Sequence, residues 1–242
     1  MTRDLDSARR FYGAVLGWSF RDTQLGERFS LAFRDGAPVA GFGTFADDLS
    51  LPAAWTPYFA AADSDLAADR IRERGGTVAV GPLAFATGRA VLAADPAGAV
   101  FGLWQGEVLS DWRVGHGPAP AWLELRTRDA FAAAIFYGEV LGWAGEAPGA
   151  CVAAYEHDHV VLRHGSDTVA RISGGALDED PDPHLRPRWH VHFRVPDLEA
   201  AVEAATRAGG SPASPVETSV TDRWITLRDP AGALFTVLAP QS

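Results

Sequence analysis

The chain has 242 residues, of which 47% are hydrophobic and 21% are charged, a composition typical of a globular protein. Its formal net charge of −10 argues against a nucleic-acid backbone or an anionic membrane surface as a partner. The sequence has no apolar run near the ~20 residues of a membrane span. Its single cysteine, Cys151, excludes an intramolecular disulfide and favours a cytoplasmic location.

The first predicted element is a helix that begins after Asp4 and ends at Gly17, because apolar residues recur there at helical spacing. Residues 28–45 alternate around an Asp35-Gly36 turn and predict a hairpin. A second helix follows Asp63 and stops at a Gly-Gly pair. The strands predicted around that helix cover residues 56–61, 89–93 and 100–104.

Two segments of this first half return later in the chain. Residues 3–18 recur as residues 128–143, sharing Phe-Tyr-Gly and Val-Leu-Gly-Trp, and Asp95-Pro-Ala-Gly-Ala recurs from Asp229. An internal repeat of this length predicts two similar domains. We place them at residues 1–105 and 121–242, with a Gly- and Pro-containing linker over residues 106–120.

The second copy predicts the same elements in the same order. These are strands at 122–127, 189–195, 223–227 and 234–238, a hairpin around 165–167, and helices ending at Gly142 and at Gly209. One difference is that a full strand precedes Asp129, whereas only three residues precede Asp4. Either the first strand is nearly absent or Met1 is an internal methionine, and we favour the second because an absent strand would open a sheet edge.

The repeated motifs resemble those of the vicinal oxygen chelate superfamily, which includes glyoxalase I, bleomycin- and fosfomycin-resistance proteins and extradiol dioxygenases. The first motif is a helix that begins after an aspartate and ends in Phe-Tyr-Gly-x-Val-Leu-Gly-Trp. The second is a strand followed by an aspartate, a helix and a Gly-Gly pair, and the third is the Asp-Pro-x-Gly-Ala turn near the end of each copy. The resemblance covers nearly the whole chain. It implies an α+β fold of tandem glyoxalase-like domains, each with two βαβββ units curled into an open barrel cup, helices outside.

Two strands of the second copy carry polar residues on one side. They are Trp122, Glu124 and Arg126 on the first strand, and His190, His192 and Arg194 on the second. The apolar residues of each strand fall on the opposite side, which is typical of a sheet face packed under a helix. In a curled sheet the polar side would face the cup.

The family's metal ligands are matched only in part. The resemblance places one ligand at His190, but the remaining positions hold residues that do not supply the expected ligands: Trp122, Thr236, Thr56 and Gly102. We therefore expect no resident cofactor. A shifted triad of His190, His192 and Glu124 holding iron, zinc or manganese stays open as an alternative.

The same three residues are the candidate catalytic group. In one hypothesis Glu124 orients a histidine that acts as general acid or base; in the other, these are polar residues balanced by neighbouring arginines. The candidate ligand-binding residues are Trp122, Arg126, Arg194, Trp224 and Thr236 in the second copy, and Tyr58 and Trp104 in the first. The latter two flank Gly102, which we expect to leave room for a flat molecule.

The sequence thus predicts a small-molecule-binding protein whose ligand is aromatic or polyketide-like. If it is an enzyme, we favour metal-independent isomerisation, elimination or cyclisation. The alternatives are pure sequestration of a drug or metabolite, and a metal-dependent dioxygenase or glyoxalase-like lyase. A monomer and a homodimer are both compatible with the sequence, and neither nucleic acid nor membrane is expected as a partner.

Overall fold

The computed structural model describes residues 1–23, 26–48, 51–85, 87–108, 113–143, 151–156, 159–175 and 186–241. Its helices are α1 (Leu5–Leu16), α2 (Ser64–Glu73), α3 (Ala130–Leu141) and α4 (Leu198–Arg207). Among the described residues, no helix combines the length and apolar character needed to cross a membrane.

The strands of the first half are β1 (Ser19–Asp22), β2 (Phe29–Arg34), β3 (Ala37–Gly43), β4 (Tyr58–Ala60), β5 (Thr77–Phe85), β6 (Gly88–Ala94) and β7 (Val100–Gly106). Those of the second half are β8 (Trp122–Arg126), β9 (Val152–Glu156), β10 (His159–His164), β11 (Asp167–Ser173), β12 (Arg188–Arg194), β13 (Ser211–Pro212), β14 (Glu217–Thr218), β15 (Asp222–Arg228) and β16 (Leu234–Pro240). The predicted α+β class is confirmed, with two helices in each half of the chain and sheets that mix parallel and antiparallel pairs.

Each helix begins after an aspartate whose side chain accepts hydrogen bonds from backbone N–H groups of the first turn. The four aspartates are Asp4, Asp63, Asp129 and Asp197. Helices α1 and α3 end at Gly17 and Gly142, whose φ angles of 69° and 67° are left-handed and favour glycine. The helices predicted from the repeat are therefore confirmed. The ends of α1 and α3 lie at the predicted glycines, whereas α2 and α4 end at Glu73 and Arg207, two residues before Gly75 and Gly209.

The predicted hairpin is also confirmed, with Asp35 and Gly36 both at positive φ between β2 and β3. The sequence patterns did not identify β1, β5, β9, β13 and β14. Strand β1 has four residues and is mostly exposed, so it shows no burial alternation. Strand β5 contains Gly81 and Pro82 and shifts register twice against β6, which hides the period of two on which strand prediction depends.

Contacts within the chain define two compact units, and each unit combines segments of both sequence copies. Unit 1 comprises Met1–Trp55, His116–Ala121 and Val191–Ser242, and unit 2 comprises Thr56–Gly115 and Trp122–His190. The chain passes from unit 2 to unit 1 within β12. The domain bounds predicted above follow the sequence repeat, whereas these units follow packing.

Unit 1 packs α1 against α4. Its first sheet is the antiparallel ribbon β1-β2-β3, and its second has the strand order β13-β15-β16-β12, with β14 also paired to β15. Strands β15 and β16 are antiparallel, whereas β12 and β16 are parallel with His192 opposite Thr236. The residues paired across these strands share one side of the sheet.

Unit 2 packs α2 against α3. One sheet has the order β4-β7-β6-β5 and the other the order β8-β11-β10-β9. In the first sheet, β4 precedes α2 and pairs in parallel with β7, with Tyr58 opposite Gly102. In the second sheet, β8 precedes α3 and pairs in parallel with β11, with Leu123 opposite Ala170. The remaining pairs are antiparallel, so both sheets have the same mixed topology.

A buried tyrosine joins the repeated motifs in unit 1. The Tyr12 hydroxyl of α1 donates to Asp229 Oδ2 (2.9 Å) and accepts from the Trp55 indole N–H (2.9 Å). The Trp18 ring stacks on the tyrosine at a centroid distance of 5.8 Å. Burial, reinforced by the charge of Asp229, raises the pKa of Tyr12 well above its usual value.

Unit 2 contains the same arrangement. The Tyr137 hydroxyl of α3 donates to Asp95 Oδ2 (3.1 Å) and accepts from the Trp189 indole N–H (3.0 Å), and Trp143 stacks on its ring at 5.5 Å. Burial likewise raises the pKa of Tyr137 well above its usual value, and burial raises the pKa of Asp95.

These two Tyr-Asp-Trp networks explain why both motifs recur. In each unit, the tyrosine comes from the Phe-Tyr-Gly helix of one sequence copy and the aspartate from the Asp-Pro-Ala-Gly-Ala turn of the other. The second oxygen of each carboxylate accepts from two backbone N–H groups of its own turn, as Asp95 does from Ala97 and Ala99. The repeated motifs therefore hold the core of each unit together.

Candidate functional site

Glu124 is a candidate in unit 2 whose carboxylate is held by hydrogen bonds to both of its oxygens. Its Oε1 accepts from the Ser173 hydroxyl (2.9 Å) and its Oε2 from Arg126 Nε (3.3 Å). Only 14% of the side chain is exposed. Strand alternation explains the arrangement, because Arg126 is two residues along β8 and Ser173 is the register partner of Arg126 on β11. The carboxylate is thus fixed against the sheet by two donors.

His190 lies at the end of the unit 2 part of β12, and it is almost fully buried. Its Nε2 accepts a hydrogen bond from Arg188 Nε at 2.7 Å. An imidazole nitrogen accepts only when it carries no proton, so this geometry fits the neutral tautomer protonated on Nδ1. A role for His190 as general base through Nε2 would require Arg188 to move away.

His192 is two residues further along β12 and belongs to unit 1, where it is also buried. Its register partner on β16 is Thr236, which in turn faces Thr226 on β15. The two threonine hydroxyls are 3.1 Å apart and hydrogen bonded. At the position where the family carries a glutamate ligand, this chain therefore has a hydroxyl engaged by a neighbouring hydroxyl.

Two further candidates in unit 1 lie on the same side of the sheet. Arg194 is opposite Leu238, and Leu238 is opposite Trp224 on the next strand. Arg194 is exposed and Trp224 is half-buried. The structure thus places His192, Thr236, Arg194 and Trp224 on one face of unit 1. In unit 2, Trp122, Glu124 and Arg126 share one side of β8, and His190 lies on β12.

The candidates of the first copy are Tyr58 and Trp104, which belong to unit 2. The sequence predicted open space beside Gly102, but the Tyr58 ring lies there, since a Cβ on Gly102 would come within 2.3 Å of it. Trp104 similarly covers Gly88, and its indole N–H donates to the Glu107 carbonyl at 3.0 Å. Because Tyr58 remains 51% exposed, its outer face is the surface available for stacking.

The residues present do not fit the metal ion that the family resemblance implies. At the implied ligand positions, Trp122 and Gly102 offer no ligand atom, and the Thr236 hydroxyl is bonded to Thr226. Within the part of the chain that the structure describes, no group of three or more His, Cys, Asp or Glu side chains is arranged to hold a metal.

The structure also shows polar residues of this face that sequence patterns did not single out. Ser173 supports Glu124, Arg188 contacts His190, and Arg171 is the register partner of Glu124. Alternation along β11 was a usable signal for Arg171 and Ser173, but their relation to Glu124 depends on the pairing of β11 with β8, which sequence periodicity does not specify.

Comparison with known families agrees with this architecture. A model of the glyoxalase/bleomycin resistance protein/dioxygenase superfamily matches residues 1–103, and a model of a glyoxalase-like domain matches residues 122–238. Among solved structures, the Mn(II)-bound glyoxalase of Novosphingobium aromaticivorans superposes with a TM-score of 0.59 at 16% identity, covering 98% of this chain and 79% of that one. Catechol 2,3-dioxygenase superposes with a TM-score of 0.58 at 14% identity, covering 99% and 86%. These structures share the fold.

Two curated relatives are similar in sequence along nearly their whole length. The glyoxylase-type protein CFP32 of Mycobacterium bovis is 31% identical over 247 residues, covering 99% of this chain and 92% of that protein. The anthracycline biosynthesis protein DnrV of Streptomyces peucetius is 31% identical over 257 residues, covering 97% and 89%. The chain therefore belongs to the glyoxalase/bleomycin resistance protein/dioxygenase superfamily, as the motifs predicted.

Proposed function

We propose that the small molecule bound by this superfamily member is an aromatic or polyketide-like compound that lies against the polar side of β8, β10 and β11 in unit 2. The observation that carries the proposal is the shielded Glu124 carboxylate, which Ser173 and Arg126 hold in one position. A fixed acceptor of this kind suits a ligand hydroxyl group, while the apolar body of the ligand packs beside it.

The relatives support the ligand class. DnrV is an anthracycline biosynthesis protein, and anthracyclines are fused-ring aromatic compounds that carry several hydroxyl groups. The half-exposed Tyr58 ring of the first copy supplies a second aromatic surface in unit 2. We extend the proposal to binding without a resident metal, because the residues at the implied ligand positions do not fit one.

Acid–base turnover of the bound molecule is the second candidate function. It is favoured by the neutral tautomer of His190 that the Arg188 contact implies. Such an imidazole can accept a proton once Arg188 is displaced, and isomerisation, elimination or cyclisation each require a proton acceptor. Sequestration requires no proton transfer. The two functions can therefore be separated by substituting polar residues of the site and measuring the reaction rate and the binding affinity independently.

Variants of Glu124 separate these functions. With 2,6-dihydroxyanthraquinone as the probe in titration calorimetry, we expect Glu124→Gln, which keeps an amide oxygen, to weaken binding by less than about tenfold. Glu124→Leu removes the acceptor and should weaken it by roughly 10- to 100-fold. The matched control is Glu156→Gln, which alters a carboxylate paired with Arg163 and should bind as the wild type does.

Turnover is followed in parallel by mass spectrometry of the recovered probe. If the wild type converts it, His190→Gln, which removes the proposed proton acceptor, should lower the rate by ~10²–10⁴-fold while binding persists, as expected for acid–base catalysis. Recovery of unchanged probe from the wild type would favour sequestration. Wild-type affinity in Glu124→Leu would contradict the proposed location of the ligand.

A further inference from the structure

Arg171 lies in the centre of the polar strand face in unit 2. It is the register partner of Glu124 on β8 and of Val161 on β10. Paired residues of adjacent strands project from the same side of a sheet, so the Arg171 side chain leaves the sheet beside the Glu124 carboxylate. An arginine thus stands next to the fixed acceptor of the proposed site.

The guanidinium of Arg171 has no carboxylate partner among the described residues. Its Nε is shielded from solvent and makes no hydrogen bond there. The neighbouring carboxylates are already engaged, since Glu124 accepts from Ser173 and Arg126, and Glu156 is paired with Arg163. A shielded donor has lost its bond to water, and that loss is recovered only when an acceptor is supplied.

The first sequence copy shows that the fold does not require a charge here. The position equivalent to Arg171 is Gly41, because Leu31 faces Gly41 in the β2/β3 ribbon as Val161 faces Arg171 in the β10/β11 ribbon. The Phe29 ring covers that glycine, and a Cβ on Gly41 would come within 2.5 Å of it. An uncharged side chain therefore fills the equivalent position in unit 1.

We infer that Arg171 binds an anionic oxygen group of the ligand, such as a carboxylate or an ionised acidic hydroxyl. This inference rests on the proposed function, because it places the anion next to the hydroxyl that Glu124 accepts. Adjacent strands are about 4.8 Å apart, so the ligand class is an aromatic molecule whose acidic group and hydroxyl are separated by roughly 5 Å. The planar guanidinium binds such oxygens through two parallel hydrogen bonds.

The local charge matters because the chain as a whole carries a net charge of −10 and would repel an anion. Arg171 supplies the positive group at the point where the ligand must approach. It is a binding residue for this anion, whereas Glu124 selects the adjacent hydroxyl. The two side chains together would discriminate hydroxylated aromatic acids from neutral aromatic compounds.

The test uses the full chain and a matched pair of probes, 4-hydroxynaphthalene-2-carboxylate and its methyl ester, in titration calorimetry. The acid and the hydroxyl of this probe are meta to each other and therefore roughly 5 Å apart, as the strand spacing requires. We expect the wild type to bind the acid roughly 10- to 100-fold more tightly than the ester. Arg171→Met should abolish that preference, because the acid loses its ionic partner, and Arg171→Lys should keep part of it. The control Arg163→Met removes an arginine already paired with Glu156 and should keep the full preference.

Each other outcome is decisive. Equal affinity of the wild type for acid and ester would overturn the role of Arg171 and leave the proposed function intact. A preference that survives in Arg171→Met would do the same. Failure of both probes to bind the wild type would overturn the proposed function together with the inference. Near-ultraviolet circular dichroism confirms folding of each variant, and Arg171→Lys decides the question if Arg171→Met does not fold.

Discussion

Removal of the Tyr137 hydroxyl tests the network that connects the two repeated motifs in unit 2. Tyr137→Phe keeps the ring and its stacking on Trp143 but deletes the atom that donates to Asp95 and accepts from Trp189. Both partners are buried, so neither regains a bond to water. The substitution therefore isolates the contribution of one hydroxyl to the stability of the unit.

The expected cost follows from the two groups left unpaired. An unsatisfied buried donor or acceptor costs about 1–3 kcal/mol, so for the two groups together we expect Tyr137→Phe to lower the free energy of unfolding by about 2–6 kcal/mol at pH 7. Tyr12→Phe should cost a similar amount, because its hydroxyl lies in the same way between Asp229 and Trp55.

The cost should also depend on pH. Burial already raises the pKa of Asp95, whereas the Tyr137 hydroxyl lowers it by donating to the carboxylate. Loss of the hydroxyl therefore raises the pKa of Asp95 further. A group whose pKa is higher in the folded state binds its proton more tightly there, so the variant recovers stability relative to the wild type as the pH falls through that raised pKa. The difference should be smaller at pH 5 than at pH 7.

Urea unfolding, followed by both tryptophan fluorescence and circular dichroism, measures these free energies, and coincident transitions establish that they are comparable. The matched control is Tyr155→Phe, at a tyrosine that is 61% exposed, which should change little. If Tyr137→Phe cost no more than this control, the hydroxyl would not contribute to the core as described. A large loss in Tyr137→Phe with none in Tyr12→Phe would refute the equivalence of the two networks.

Three further predictions concern alkaline stability, glycine packing and metal. Because burial raises the pKa values of Tyr12 and Tyr137, the free energy of unfolding should fall above pH ~10 by up to about 1.4 kcal/mol per pH unit for each tyrosine. Tyr137→Phe should make this fall less steep in urea titrations at pH 9–11, and part of the slope should remain because burial also raises the pKa of Tyr58. Gly210→Ala should lower the free energy of unfolding by about 1–3 kcal/mol, because its Cβ would lie 2.6 Å from the Arg228 carbonyl oxygen. Gly102→Ala should cost less, because the half-exposed Tyr58 ring can rotate away. Comparable losses of stability in thermal unfolding of the two variants would contradict this. Protein purified without chelator should hold well below one equivalent of iron, zinc or manganese, and dialysis against EDTA should leave its affinity for the probe unchanged. A stoichiometric metal that is lost in His190→Ala would instead support the metal-dependent alternative.

Much of the secondary structure was predictable because its signals are local. The helix after Asp129 is specified by its capping aspartate, its apolar spacing and Gly142 at its end, all within one short segment. The polar side of β8 follows from strict alternation over five residues. Strand β5 escaped prediction because Gly81 and Pro82 interrupt its pattern.

The candidate site was predictable only one residue at a time. Alternation placed Glu124 and Arg126 on one side of β8, but support from Ser173 depends on pairing with a strand some fifty residues later. The space expected beside Gly102 is occupied by Tyr58 because those residues are register partners in parallel strands. Register is set by the packing of whole sheets, and a period of two within one strand does not reveal it.

Two copies of one α+β module can be recognised from the amino-acid sequence, because the repeat, the helix caps and the strand alternation each lie within short segments. Which of these segments pack into one core becomes evident only in the folded chain. Tyr12 and Asp229 are 217 residues apart, and they meet because each buries a polar group that the other satisfies. Such pairing depends on burial in the folded chain, so it cannot be predicted from the local amino-acid sequence.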